Sequence, residues 1–304
     1  MGWKSILASV IAIFLVLLIF FYWVFPFETI DFGTTSSRNS NFTLGNVENE
    51  SMQFYPNMRY PGNDISYKIE SCPLKKTDEM QRSFDAIENL TALNFYPVAS
   101  NEEISITCDE DARFEGDLFI AGEGGPVNIT RTDKFNVIHR GAITLIRESK
   151  CENPNVGIHE LLHTLGFAHS ENPNNIMYPV SKCSQTISQD IINLIDQLYS
   201  YQSLPDIAFE NVSATMSGRY LDLNLTIRNQ GLADSPAAEI EVYADDKSVK
   251  KIGLESLKIG HGRLITVTNI FVFQKDVDEL RFLIKTNFEE LEKDNNEAVL
   301  NYSN

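Results

Sequence analysis

The spacing of apolar and polar positions changes character along the chain. The first apolar run, Ile6 to Phe25 (ILASVIAIFLVLLIFFYWVF), contains no charged residue and has no polar face. About 20 such residues are what a helix needs to cross a bilayer. Lys4 precedes the run, and Glu28 and Asp31 follow it. The positive-inside tendency then predicts a cytoplasmic tail over 1–5, a transmembrane signal anchor over 6–25, and everything later outside the cell. A cleaved signal peptide is the competing reading. Its apolar region would span only about 7–15 residues and end in small ones. This run instead ends in Tyr22-Trp-Val-Phe-Pro26, aromatics suited to a membrane interface.

Residues 26–57 are rich in Ser, Thr, Asn and Gly without a clear period, and read as an exposed stalk. Helical spacing follows over about 78–93, where Met80, Phe84, Ile87 and Leu90 or Thr91 share a face. Thr77 is its candidate N-cap, with Asp78 and Glu79 in the first turn. Strands are predicted at 104–108, 117–121 and 136–146. Further helices are predicted at 156–165 and at 189–199, the latter capped by Ser188, with Ile191, Ile195 and Leu198 facing inward. From Leu204-Pro205 onward the helical period gives way to alternation. Leu221, Leu223, Leu225 and Ile227 alternate with polar neighbours, and shorter runs lie at 240–242, 264–267, 280–284 and 299–300. Turn signals separate them, so about seven short strands form a β-sandwich. The predicted domains are therefore 58–203 and 204–304.

Composition narrows the partners. The chain has 304 residues and a formal net charge of -17, which disfavours nucleic acid and anionic lipid. Seven Asn-X-Ser/Thr sequons, at Asn41, Asn49, Asn89, Asn128, Asn211, Asn224 and Asn301, all follow the apolar run and fit an extracellular glycoprotein. Cys72, Cys108, Cys151 and Cys183 form no C-x-x-C pair, so two disulfides fit better than a cysteine metal site. Three pairings are possible. The preferred one is Cys72–Cys108 with Cys151–Cys183.

That second bridge brackets the segment with the most chemistry, His159-Glu-Leu-Leu-His163-Thr-Leu-Gly166-Phe-Ala-His169. On a helix, His159 and His163 stand one above the other and present two imidazoles to one ion. Glu160 is placed to reach a metal-bound water without ligating the metal. Gly166 can turn left-handed and end the helix, which brings His169 back as third ligand. Three protein ligands leave one position open, the arrangement of a catalytic zinc ion. His139 stands alone and reads as a surface residue. The acidic stretch of Asp109, Glu110, Asp111, Glu115 and Asp117 fits no calcium-loop spacing and reads as a solvated turn.

The extended motif resembles the metzincin metallopeptidases, the matrixin branch in particular, because a methionine turn follows at Asn175-Ile-Met177-Tyr-Pro179. The resemblance covers about residues 58–201. It implies an α+β catalytic domain with a twisted mixed sheet and three helices, and places Met177 as an apolar floor beneath the zinc. It further implies endopeptidase activity on protein or peptide substrates, with Glu160 as general base. No Pro-Arg-Cys-Gly latency segment is found, nor a second histidine cluster for a structural zinc. The last hundred residues resemble the CARDB module, an all-β immunoglobulin-like sandwich. The resemblance rests on Pro205-Asp206-Ile207, Ile227-Arg-Asn-Gln-Gly231, Leu257 to Gly260 and Asp294-Asn-Asn-Glu297. It implies attachment to substrate or cell-surface material, or a spacer. The rival to the enzyme reading is a surface adhesin with a non-catalytic zinc site.

Overall fold

The computed structural model describes residues 2–24, 29–36, 52–111, 113–116 and 118–302. It begins with helix α1, Trp3–Val24, and strand β1, Thr29–Thr35. Every described side chain from Ile6 to Phe21 on α1 is exposed. Among the described residues no helix is long and apolar enough to cross a membrane.

The chain divides into two compact units, which interleave in sequence. One comprises residues 42–205 with 230–233. Its sheet contains β2 (Met58–Arg59), β3 (Asp64–Glu70), β4 (Asn94–Pro97), β5 (Ile104–Cys108), β8 (Gly122–Arg131) and β9 (Asn136–Leu145). Two-residue strands β6 (Phe114–Glu115) and β7 (Leu118–Phe119) pair separately. The order β2-β9-β5-β3-β4 is parallel throughout, whereas β8 runs antiparallel along β9. The predicted mixed sheet is therefore present. Three helices accompany it: α2 (Leu74–Glu88), α3 (Asn155–Thr164) and α4 (Gln189–Tyr199).

The face predicted for α2 is buried, with Met80, Phe84 and Ile87 in the core and Phe84 stacked on Tyr67. The helix starts before the predicted position, however. Thr77 is not its cap, because its N–H already donates to Pro73 O at 3.0 Å inside the first turn. Leu90 lies beyond the helix end and is exposed. Ser188 does flank α4, but it makes no side-chain capping bond; its hydroxyl accepts from Asn175 Nδ2 at 3.1 Å. Both preferred disulfides form, Cys72–Cys108 and Cys151–Cys183.

The other unit is a sandwich of two four-stranded antiparallel sheets. Beyond β1 its strands are β10 (Ile207–Ser217), β11 (Tyr220–Asn229), β12 (Ala238–Ala244), β13 (Lys247–Leu254), β14 (Gly262–Phe271), β15 (Glu279–Lys285) and β16 (Glu297–Asn301). The sheet orders are β1-β10-β11-β14 and β13-β12-β15-β16. Alternation does its expected work: Leu221, Leu223, Leu225 and Ile227 are fully buried, and share a core cluster with Ile240, Val242, Leu280 and Phe282.

The segment expected to be a stalk is corrected at both described ends. Strand β1 pairs antiparallel with β10, from Thr29 opposite Ser217 to Thr35 opposite Val212. Phe32 sits in the sandwich core at 5% exposure, edge-on to Tyr302. At the far end of the segment, Gln53 forms a β-bridge with Phe167 inside the unit of residues 42–205. An apolar Ile30 and Phe32 at alternate positions are enough for a strand when a partner edge is waiting.

Candidate metal centre

The centre is built on α3 and the turn after it. Pro154 precedes α3 and no side chain of its own sequence caps it. Glu79 reaches across from α2 instead. Its buried carboxylate accepts from Gly157 N at 3.4 Å and from Ser149 N at 3.1 Å, placing an acidic group at the N-terminal end of α3. Burial pushes the Glu79 carboxyl above its ordinary range, against the pull of these two N–H donors. Gly157 permits the close packing of the two helices, since a Cβ there would stand 2.3 Å from Ser83 Oγ.

The helix ends as its sequence requires. Gly166 has φ +95°, and a Cβ on it would lie 2.7 Å from Met58 Cβ, so conformation and space both demand glycine. The turn returns His169 to the helix. His163 Nε2 stands 3.0 Å from His159 Nε2 and 3.2 Å from His169 Nε2. Each imidazole of the helical pair is oriented from behind: Nδ1 of His159 donates to Ile176 O at 2.7 Å, and Nδ1 of His163 to Phe167 O at 2.8 Å. With the protons on Nδ1, the Nε2 atoms present lone pairs to one another. Such an arrangement is repulsive until a cation stands between them. Three nitrogens about 2.0–2.1 Å from one tetrahedral zinc would stand roughly 3.3 Å apart, so the set fits the ion. Burial, and the neighbouring imidazoles after it, hold His163 neutral down to about 4; burial also lowers His159.

Glu160 is 5% exposed. Burial first, and the charge of Glu123 second, push its carboxyl up to about 8. The reason for the burial is the start of β8. A Cβ on Gly122 would be 2.9 Å from Glu160 Oε1, and one on Gly124 would be 2.4 Å from the Glu160 carbonyl oxygen. Only glycine lets this strand lie so close to α3. Glu160 and the three histidines line one cleft of about 1180 Å³, which also reaches Val156 and the Cys151–Cys183 bridge.

Around this core the Met177 turn is tightly tied. Ser170 N donates to Met177 O at 2.9 Å, Met177 N to Asn175 Oδ1 at 2.9 Å, and Ile176 N to Thr186 O at 2.9 Å. Met177 is 1% exposed. The turn thus supplies the carbonyl that orients His159 and continues the apolar core.

The matrixin family matches over residues 43–200, and the CARDB family over residues 205–299. The first match spans more than half of the chain. The chain belongs to the matrixins. This matrixin is a zinc metallopeptidase, and its family and its three-histidine cluster indicate Zn²⁺ as the metal. None of the curated proteins matches it. Among solved structures, it is similar to high choriolytic enzyme 1, a hatching-enzyme zinc protease of the medaka Oryzias latipes. That likeness is at 14% identity and TM-score 0.30, over 46% of this chain and 90% of that one. It is also similar to a CARDB domain from Pyrococcus furiosus solved in complex with di-metal ions, at 17% identity and TM-score 0.28, over 33% of this chain and 88% of that one.

Other residues singled out by the sequence lie apart from the centre. His139 Nε2 is 2.9 Å from Thr130 Oγ1, between β9 and β8, and is not in the histidine cluster. In the acidic turn, Asp109 accepts from Asp111 N and pairs with Arg113 at 2.8 Å; those N–H donors lower its carboxyl. Asp117 lies outside the described residues. Three contributors carried no motif. Phe54 stacks on the His163 ring at 5.7 Å, and its N–H donates to Gly166 O at 2.9 Å. Glu79 supports α3 as described. Lys76, 5% exposed, gives its ammonium to the carbonyls of Asp109, Leu145 and Ile146, and so fixes the loop beside the cleft.

Proposed function

We propose that this matrixin is an endopeptidase in which His159, His163 and His169 hold one zinc ion and Glu160 is the general base. The observation that carries the reading is the convergence of three Nε2 atoms, with the Nδ1 atoms of His159 and His163 donating to backbone carbonyls, beside a buried carboxylate in one cleft. A zinc ion held by these three histidines would supply Lewis-acid chemistry, lowering the pKa of a water in the cleft toward about 7. Glu160 takes the proton of the attacking water and hands it to the departing amine nitrogen. Its burial between Gly122 and α3 keeps the carboxylate poor in solvent and poised for proton transfer. Strand β8 pairs with β9 alone among the described residues, so its other edge is available to an extended peptide reaching both sides of the cleaved bond. Met177 serves as the apolar floor behind the ligands.

Glu160→Gln is the deciding variant. It should keep stoichiometric zinc while hydrolysis of an unstructured protein falls by about 10²–10⁴-fold. Near-normal turnover would remove Glu160 from the mechanism, and a wild-type protein that binds zinc without any cleavage would favour the adhesin instead.

The enzyme is further proposed to work outside the cell, attached to a membrane through α1. The exposed apolar surface of Ile6 to Phe21 supports attachment, and five described sequon asparagines, Asn89, Asn128, Asn211, Asn224 and Asn301, all exposed, support the outside location. Full-length protein should sediment with membranes through an alkaline wash; recovery in the wash would rule the anchor out. The CARDB unit is assigned a holding role toward large or surface-bound substrates.

A further inference from the structure

Asp and Glu outnumber Lys and Arg in this chain by 42 to 25, yet the zinc cleft carries a basic wall. Arg147, Lys150 and Lys182 all line it. None of the three makes an ion pair among the described residues, and Lys150 and Lys182 are exposed. The acids nearby are differently placed. Glu148 is paired with Lys75 at 3.3 Å and Glu123 with Arg113 at 2.8 Å, which leaves Glu110, and Glu160 at the reacting centre.

The two lysines are presented together by covalent structure. Lys150 immediately precedes Cys151 and Lys182 immediately precedes Cys183, and the bridge between those cysteines sets their Cα atoms 5.1 Å apart. Each cysteine of the bridge therefore has a lysine next to it in sequence, and both lysines line the cleft. Arg147 lies three residues before Lys150 and lines the cleft too. Its backbone N–H donates to Ala121 O at 2.8 Å, next to the Gly122 that packs on Glu160, and its guanidinium lies over Phe119 at 3.9 Å. A fixed cluster of unpaired cations in a cleft focuses potential and selects partners of opposite charge more than it adds bulk affinity.

We propose that Arg147, Lys150 and Lys182 make this enzyme selective for acidic peptide segments, binding Asp or Glu side chains of the substrate along the cleft between the zinc and the Cys151–Cys183 bridge. The proposal rests on the peptidase reading and names its substrate class. The test uses the full-length zinc enzyme and peptides identical except for Glu, Gln or Lys at each of three positions on either side of the cleaved bond. At one or more positions on one side of that bond, kcat/KM should favour Glu over Gln by about 10-fold and disfavour Lys. Raising salt from about 0.05 to 0.5 M should compress the preference, as screening requires. In the triple variant Arg147→Gln, Lys150→Gln, Lys182→Gln the Glu-to-Gln ratio should fall toward one. Equal kcat/KM for Glu and Gln at every position would overturn the proposal, as would a preference that survives in the triple variant. A parallel measurement of peptide Kd on Glu160→Gln separates the two readings. A Glu preference in binding with no cleavage by wild type would sink the hydrolytic function and keep the basic cleft, whereas cleavage without preference would do the reverse.

Discussion

At the scale of single residues, the chemistry follows from where protons are held. Glu160 ionises near 8 in the metal-free fold, whereas an unfolded glutamate does so near the ordinary value of 4.5. The folded state thus binds a proton that the unfolded state gives up between those limits. That contribution to stability is full below about 4.5 and is lost as pH rises through about 8. Glutamine has no proton to lose, so metal-free Glu160→Gln should gain stability over metal-free wild type as pH goes from about 5 to about 9. The gain should reach several kcal/mol, at roughly 1.4 kcal/mol for each tenfold change in proton affinity between the two states. Thermal melts of both proteins at the two pH values read this directly; parallel pH curves would mean that Glu160 is solvated in the fold. His159 and His163 push the other way, since their lowered values cost stability as pH falls below the ordinary imidazole range, but they do so in both proteins alike. The histidine cluster was legible because a helix and one turn put all its members within eleven residues. The groups that aim it were not. Ile176 and Phe167 act through backbone carbonyls that any residue could supply, and Glu79, Phe54 and Lys76 come from distant segments with no pattern of their own.

Among the elements, the zinc helix is held on both sides by absences of side chain. Gly157 admits α2, and Gly122 and Gly124 admit β8. Gly124→Ala would drive a Cβ into the backbone of Glu160, where no flexible side chain can yield, whereas Gly125 has nothing within 4 Å. Gly124→Ala should therefore cost about 1–3 kcal/mol and lower kcat/KM more than about tenfold by pushing β8 off the cleft, with Gly125→Ala close to neutral. Equal effects from the two substitutions would show that β8 tolerates displacement. The same glycines hid β8 in the sequence: Gly122-Glu-Gly-Gly-Pro reads as turn, not strand, until α3 supplies the reason. Periodic elements were plain by contrast. α3, α4, β5 and β9 fall at or within a residue of their predicted bounds, while α2 begins earlier because Leu74 and the two lysines after it show no inward apolar pattern.

For the molecule as a whole, sequence order and spatial order differ. The two regions of the chain were readable from the change of period at Leu204, but the place of β1 was not. A seven-residue strand in a Ser/Thr/Asn-rich stretch declares itself only through β10, which comes after the entire catalytic unit. Phe32→Ala should destabilise the sandwich by about 3 kcal/mol or more, as removal of a buried aromatic does. Cleavage of a short peptide should stay unchanged, since Phe32 belongs to the core cluster of the sandwich and not to that of the peptidase. A lost peptidase activity would show that the two cores are energetically linked. Because β1 is covalently ahead of the peptidase yet hydrogen-bonded to a strand behind it, covalent continuity and attachment are separable. A single backbone cut between residues 36 and 51 would turn the protein into two chains that remain one particle, with residues 1–35 retained by five cross-strand residue pairs and a buried phenyl ring. Separation of α1 from the enzyme would then wait on the rate at which one β-strand peels from an edge, not on the rate of proteolysis.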